Sequence, residues 1–237
     1  MCSSSLPGRS AAGLLRLKQV IFDLDGTLID SAPDLHRAVN LMLAQLGTAP
    51  LPLAQVRGMV GDGAAALIQR SLSACSLSGA DEAAALEAFL AFYAQDPTAH
   101  TRIYPGVPET LDLLRERGIQ LAICTNKPAG LTHTILERLG LLEYFPHVLG
   151  GDSLPFRKPD PRMLLHLLAA MGTDPAAALL VGDSEVDAAT ARSASVPFVL
   201  VTYGYHRGPI AQIPYLTAIE DLRALPALLA QQPEGLK

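Results

Sequence analysis

The chain has 237 residues, of which 49% are hydrophobic and 17% are charged, a composition that is typical of a globular protein and argues against a disordered one. A formal net charge of −5 argues against nucleic acid as the main partner, and no apolar run approaches the roughly 20 residues that span a bilayer, so we expect no membrane partner. The three widely spaced cysteines, Cys2, Cys75 and Cys124, have neither disulfide nor metal-ligand spacing and favour a reducing, cytoplasmic location.

A pair of aspartates at the end of a predicted strand is the first chemical feature along the chain. Residues 1–16 are expected to be a disordered tail, with a transit peptide as the less favoured alternative. Residues 20–22 are an apolar run that predicts a buried parallel strand, and Asp23 and Asp25 follow it. Because side chains alternate along an extended segment, both carboxylates project to one side, where two like charges need a cation or a shared proton.

The next block, residues 31–101, has helical periodicity and no convincing strand. Apolar residues recur at helical spacing and predict helices over residues 35–46, 52–57, 64–72 and 81–93. Gly61, Asp62 and Gly63 separate two of them, either as a simple connection or as a loop that faces a substrate. The block therefore predicts an all-α insertion.

From residue 108 onwards, predicted helices and strands alternate. The helices are expected over residues 108–117, 128–139, 161–171 and 184–193, and the strands over 119–124, 148–149, 178–181 and 198–201. This alternation predicts an α/β fold, a Rossmann-like doubly wound parallel sheet with helices on both faces. The expected domains are a core of residues 17–32 and 103–237 and a helical domain of residues 33–102.

Polar clusters at the ends of the predicted strands carry the candidate chemistry. Besides Asp23 to Thr27, they are Thr125 with Asn126, Lys158 just before a predicted helix, and Asp183 to Asp187. Since parallel strands end at one edge of a sheet, these clusters should converge in one crevice. Closely set carboxylates suit Mg²⁺, a lysine can neutralise phosphate charge, and an ionised aspartate can attack phosphorus. Helix capping by the same polar residues is the alternative.

With these clusters in order, the chain resembles the phosphatases of the haloacid dehalogenase superfamily that carry an α-helical cap. The resemblance covers residues 18 to about 229, and the ordered set of motifs is far more specific than one Asp-x-Asp pair. It implies that Asp23 is the nucleophile and a Mg²⁺ ligand, and that Asp25 is the general acid and base and binds Mg²⁺ through its backbone carbonyl. It also implies that Asp183 completes the metal shell and that Asp187 steers Lys158 or a metal-bound water.

The same resemblance implies a phosphate site. Thr125 and Lys158 would hold the transferring phosphoryl group, with Asn126 and Gly26 beside them. Residues 33–102 would be the cap domain, and the enzyme would act as a monomer or a homodimer.

A small phosphorylated metabolite is the expected partner, with 2-phosphoglycolate first. Its carboxylate would suit an arginine, and Arg57 and Arg70 are the candidates in the helical block. Alternatives are a phosphatase or phosphomutase acting on another small phosphate, such as a sugar phosphate, a nucleotide or pyrophosphate. A receiver-like signalling domain is the non-enzymatic alternative, and the helical block argues against it because a lid serves turnover.

Overall fold

The structure, a computed structural model, describes residues 17–77 and 79–230. The predicted tail at residues 1–16 lies outside the described residues. Across the described ranges, the helices lack the combination of length and apolar character that a bilayer crossing requires.

Within residues 17–77 and 79–230, eight strands form two sheets. They are β1 (Gln19–Phe22), β2 (Ile29–Asp30), β3 (Arg102–Ile103), β4 (Gln120–Cys124), β5 (His147–Leu149), β6 (Ala178–Gly182), β7 (Phe198–Val201) and β8 (Thr217–Ile219). The main sheet is parallel throughout and has the order β5-β4-β1-β6-β7-β8. β2 and β3 form a separate antiparallel pair.

Nine helices surround these strands in the described part of the chain. They are α1 (Ala32–Gln45), α2 (Leu53–Arg57), α3 (Ala64–Ala74), α4 (Glu82–Gln95), α5 (Val107–Glu116), α6 (Ala129–Arg138), α7 (Pro161–Ala170), α8 (Glu185–Ser193) and α9 (Leu225–Ala230). The first four lie between β2 and β3 in the chain and pack on one another. The β2–β3 pair therefore joins the two ends of the helical block.

The alternation of side chains along each strand divides the core into two hydrophobic clusters. In β1, Val20 and Phe22 belong to the larger cluster, and Ile21 belongs to the smaller one. The larger cluster continues into α1, α3 and α4, whereas the smaller one contains residues of α7 and α8. Both faces of the sheet are therefore buried, which explains why its strands are apolar runs rather than alternating patterns.

The predicted fold class is confirmed, since a parallel six-stranded sheet lies between helices. The helix and strand bounds differ from the predicted ones by a few residues, partly because Pro52 and Pro128 precede the helices that were predicted to include them. The short elements β2, β3, β8 and α9 were not predicted. β2 and β3 are two residues long, which is too short to show periodicity, and their pairing depends on the strand beside them.

Candidate active site

Three neighbouring strands bring the polar clusters together. Asp23 follows β1, Thr125 follows β4 and Asp183 follows β6, and β1 lies between the other two strands. The parallel registers of β1 with β4 and with β6 place their carboxyl ends side by side. Asp23 N–H donates to the carbonyl of Val181 at 3.0 Å, which continues the ladder to the site itself. The expected convergence at one sheet edge is therefore present.

Lys158 lies at the centre of a buried ion-pair group, with 2% of its surface exposed. Its Nζ is 2.6 Å from Asp187 Oδ1 and 3.0 Å from Asp23 Oδ1. Asp187 is held by Ser184, which begins α8 with a reciprocal capping box: the Asp187 N–H donates to Ser184 Oγ, and the Ser184 N–H donates to Asp187 Oδ2. The capping residue of α8 is thus Ser184 rather than Asp183, which leaves the Asp183 carboxylate directed into the site.

Asp183 is fixed by the backbone and by a neighbouring hydroxyl. Its carboxylate accepts from Thr27 Oγ1 at 3.0 Å and from the Tyr205 N–H at 2.6 Å. Gly26, at a φ of +84°, and Gly204 both approach it so closely that a Cβ at either position would collide with the carboxylate. Both glycines are therefore needed where they stand, Gly26 for its left-handed backbone as well.

Asp23, Asp183 and Asp187 form a buried acidic cluster. Each offers a carboxylate oxygen, and these oxygens lie within 4.8 Å of one another. Oδ1 of Asp23 is buried without a hydrogen-bond donor, because its contact with Lys158 lacks hydrogen-bond geometry. Three carboxylates beside one ammonium carry more negative charge than the lysine can balance.

The pKa values record this imbalance. Burial raises the pKa of Asp23 to about 6, with Lys158 opposing the shift and Asp187 adding to it. Burial and then the charges of Asp187 and Asp23 raise the pKa of Asp183 well above its ordinary value. Burial alone would lower the pKa of Lys158, but the charges of Asp187 and Asp23 outweigh it and keep the ammonium charged. A hard divalent cation fits this oxygen-only set, because it would supply the missing positive charge.

Asp25 belongs to a separate hydrogen-bonded group, in the same cavity as Asp23. Its carboxylate accepts from Ser31 Oγ and from Lys127 Nζ, the latter at 3.0 Å to each oxygen. Lys127 is 5% exposed, and its Nζ also donates to the Tyr93 hydroxyl at 2.7 Å and lies 4.6 Å from the ring centroid. Burial would lower the pKa of Lys127, but Asp25 and Tyr93 raise it, so the ammonium stays charged. The sequence analysis did not single out Lys127, although its place directly after the polar pair at a strand end was a usable signal.

Asn126 connects three segments at this edge. Its Nδ2 donates to the carbonyl of Lys158 at 3.0 Å and to the carbonyl of Gly61 at 3.1 Å. Thr125 Oγ1 accepts the Lys127 N–H at 3.3 Å. Neither Thr125 nor Asn126 caps α6, because the N-cap position is Pro128 and no side chain accepts a capping hydrogen bond there. The capping alternative for Thr125 and Asn126 therefore fails. Asn126 instead joins the loop that contains Lys158 to the helical block.

Arg57 and Arg70, the two candidates for a substrate carboxylate, are paired elsewhere. Arg57 Nη2 lies 2.9 Å from Asp30 Oδ2, and its guanidinium lies 5.4 Å from the ring centroid of Tyr205. Arg70 donates to Asp62, which also accepts from Arg207 in the loop after β7. Both guanidinium groups therefore have a carboxylate partner already.

A small cavity of about 40 Å³ lies between the sheet edge and the helical block. Asp23, Asp25, Thr125 and Asn126 line it from the sheet side, and Gly61 and Gly63 line it as well, which favours the substrate-facing interpretation of that loop. Its other walls include apolar side chains of the helical block: Leu35, Val60, Leu67, Phe89 and Leu90. A substrate in this cavity would thus have charged groups at one end and apolar walls at the other.

Comparison with known proteins agrees with this geometry. Residues 17–195 match the hydrolase family described as haloacid dehalogenase-like hydrolase. The chain is 47% identical over 225 residues to a phosphoglycolate phosphatase of Rhodospirillum rubrum, covering 92% of this chain and 93% of that protein. It is 42% identical over 211 residues to phosphoglycolate phosphatase 1 of Pseudomonas aeruginosa, covering 87% and 77%.

A solved structure has the same fold. The crystal structure of a predicted phosphoglycolate phosphatase from Haemophilus somnus superposes with a TM-score of 0.86 at 33% identity, over 94% of this chain and 100% of that one. The similarity therefore extends through both the sheet and the helical block.

Proposed function

Because the chain belongs to the haloacid dehalogenase-like hydrolase family, we propose that it acts as a phosphatase on 2-phosphoglycolate and releases glycolate and phosphate. The observation that carries the proposed chemistry is the position of Asp23. Its buried carboxylate lines the cavity, has one oxygen without a hydrogen-bond donor and lies 3.0 Å from the Lys158 ammonium. A carboxylate in this environment is suited to attack the phosphorus atom of a substrate.

Asp23 and Asp25 divide the reaction in this proposal. Asp23 attacks phosphorus and forms an aspartyl phosphate while the bond from phosphorus to the glycolate oxygen breaks. Asp25 gives a proton to that leaving oxygen and later takes one from the water that hydrolyses the intermediate. The separate hydrogen-bond partners of the two carboxylates support these unequal roles.

The phosphoryl group needs hydrogen-bond donors on the side that faces the loop of Lys158. Lys158 and Thr125 fill this role in our proposal, and Lys158 reaches it because Asp187 holds its ammonium in place. Asn126 fixes the Lys158 loop through its backbone carbonyl, and Gly26 leaves room for the Asp183 carboxylate. Positioned charge of this kind supplies most of the catalysis in phosphoryl transfer.

We assign the acidic cluster to Mg²⁺. Asp23 and Asp183 would hold it through their carboxylates and Asp25 through its backbone carbonyl, while Asp187 stays with Lys158. When bound, the ion neutralises phosphate and carboxylate charge and so lowers the cost of bringing them together. The orphaned Asp23 oxygen and the raised pKa of Asp183 support this assignment.

The helical block forms the proposed substrate lid, with its boundary at residues 33–102. The β2–β3 pair at its base and the Arg207–Asp62 contact to the loop after β7 support this division. The apolar walls of the cavity favour a substrate without hydroxyl groups over a nucleotide or a sugar phosphate, whose hydroxyl groups would be left without partners. The oligomeric state, monomer or homodimer, and the cytoplasmic location stay predictions.

A substrate panel tests this function. The kcat/KM values for 2-phosphoglycolate, glucose 6-phosphate, a nucleoside monophosphate and pyrophosphate are compared with Mg²⁺, after EDTA, and after Mg²⁺ is restored. We expect 2-phosphoglycolate to exceed the others at least tenfold, and EDTA to abolish turnover reversibly. A Asp23→Asn variant that keeps a tenth of the activity would contradict the covalent mechanism, whereas a better substrate in the panel would contradict only the substrate.

A further inference from the structure

Lys127 is a buried cation, and none of the roles assigned above from the family motifs includes it. Among the described residues that line the cavity, it carries the only positive charge. We propose that Lys127 binds the carboxylate of the substrate and so determines specificity, an inference that rests on the proposed function. The class of ligand is a phosphomonoester with a carboxylate one carbon from the ester oxygen.

The position of Lys127 relative to Asp25 gives it the required reach. Asp25 must face the ester oxygen in order to protonate it. In 2-phosphoglycolate one methylene group separates that oxygen from the carboxylate carbon. A cation that contacts both oxygens of Asp25 at 3.0 Å therefore lies next to the place where the substrate carboxylate must be.

The hydrogen-bonding capacity of Lys127 and Tyr93 suits the same ligand. An ammonium group has three donors, and the two oxygens of Asp25 and the Tyr93 hydroxyl occupy all three, so a substrate carboxylate would replace one of the two Asp25 contacts. Tyr93 accepts from Lys127, and since burial raises its pKa to about 12 it keeps its own proton. That hydrogen is available to a carboxylate oxygen, so Lys127 and Tyr93 together offer a charged donor and a neutral one.

The remaining cavity walls leave the substrate carboxylate few alternatives. A carboxylate buried against apolar side chains without a counter-charge is strongly disfavoured. Arg57 and Arg70, unlike Lys127, do not line the cavity. Of the described cations, Lys127 is thus the one that meets the cavity at the end where the glycolate group would lie.

Tyr93 also makes this contact dependent on the helical block. It belongs to α4, whereas Lys127 follows β4 of the sheet. The two halves of the carboxylate site therefore come together only when the block is seated over the sheet edge.

A pair of substrates separates this role from simple support of Asp25. Ethyl phosphate has the same ester oxygen and nearly the same size as 2-phosphoglycolate but lacks the carboxylate. We expect Lys127→Met to lower the ratio of kcat/KM for 2-phosphoglycolate to that for ethyl phosphate by about ten- to a hundredfold, as expected for a hydrogen bond to a charged group. Equal losses for both substrates would overturn the proposal, because they would mean that Lys127 only positions Asp25.

Two further variants keep the test decisive. If Lys127→Met does not fold, which thermal unfolding would reveal, Tyr93→Phe removes the neutral donor and should lower the same ratio about two- to tenfold. An unchanged ratio in Tyr93→Phe would then count against the proposal. Arg70→Met is the matched control that removes a positive charge from the helical block, and it should leave the ratio unchanged. A loss there as large as that in Lys127→Met would place the carboxylate site at Arg70 and overturn the assignment.

The wild-type protein distinguishes failure of this inference from failure of the proposed function. If it hydrolyses neither phosphomonoester with Mg²⁺, the proposed function is wrong. If it hydrolyses both with equal kcat/KM, phosphatase chemistry stands and the carboxylate site at Lys127 is refuted.

Discussion

The acidic cluster predicts that removing one catalytic-site charge should stabilise the metal-free protein. Asp183→Asn keeps the size of the side chain but removes its charge next to Asp23 and Asp187. At a separation of up to 4.8 Å, each carboxylate pair repels by about 3 kcal/mol at an effective dielectric constant of 20. The full repulsion is not realised, because the raised pKa values of Asp23 and Asp183 let a shared proton relieve part of it.

Loss of hydrogen bonds to the carboxylate opposes this gain. Thr27 and the Tyr205 N–H both donate to Asp183, and an amide can accept only one of these bonds without turning its own donor toward the other. This cost is about 2 kcal/mol. We therefore expect Asp183→Asn in EDTA at pH 7.5 to gain about 1 to 2 kcal/mol in free energy of unfolding, or about 2 to 8 °C in Tm for a chain of this size.

Urea and thermal unfolding with and without Mg²⁺ measure this effect. The wild type should gain stability as Mg²⁺ saturates the site, and Asp183→Asn should gain little, so the order of stability should reverse on adding Mg²⁺. Glu87→Gln removes an exposed charge from α4 and is the matched control, expected to change neither value by more than about 0.5 kcal/mol. A variant less stable than the wild type in EDTA would refute the charge argument, and an equal response to Mg²⁺ would refute the metal assignment.

Three other predictions concern protons and the lid. Asp25→Asn should lower kcat by about 10²- to 10⁴-fold and leave phosphate on Asp23, detectable by mass spectrometry after acid quenching; an unchanged kcat would remove its acid-base role. Since the folded-state pKa of Asp23 is raised from 3.8 to about 6, its contribution to stability is complete below pH 3.8 and is lost as the pH rises through 6. The stability of wild type relative to Asp23→Asn, measured in EDTA, should therefore fall by about 2 kcal/mol between pH 4 and pH 7, and a flat difference would contradict the shift. Arg207→Ala breaks the contact to Asp62 between the two parts of the chain and should raise KM for 2-phosphoglycolate up to about fivefold, whereas an unchanged KM would mean that the contact does not hold the lid.

The residues that sequence reasoning identified are those placed by a strong local pattern. Asp23 and Asp183 each come directly after a buried apolar strand, so the parallel sheet determines where they lie. Asp187 was recognised from its spacing, one helical turn after Asp183, and the structure adds the Ser184 capping box that holds it. The α/β alternation gave the fold class for the same reason, since it depends on local periodicity alone.

The side chains whose surroundings could not be predicted depend on partners distant in the chain. Lys127 is buried because Tyr93, 34 residues earlier, covers it, and a lysine after a strand otherwise resembles a solvated surface charge. The role of Arg57 toward a substrate carboxylate stays a prediction, and its contact with Asp30, 27 residues earlier, was not foreseen. On short surface helices, such pairings determine where a long side chain points. The helical periodicity of the sequence does not predict these pairings.

Two charge groups of different balance meet at the sheet edge, and this difference assigns the two ligands. The first, Asp23, Asp183 and Asp187 around Lys158, has more carboxylates than ammonium groups and therefore attracts a cation. The second pairs the Asp25 carboxylate with the Lys127 ammonium at 3.0 Å, so its side-chain charges do not call for a metal. An anionic substrate needs both groups: its phosphoryl group lies where a cation balances the first group, and its carboxylate lies where Lys127 supplies positive charge and the Tyr93 hydroxyl has a hydrogen to donate. A phosphate ester without a carboxylate, such as ethyl phosphate, would use only the first group. The ratio of kcat/KM for 2-phosphoglycolate to that for ethyl phosphate therefore reports on Lys127.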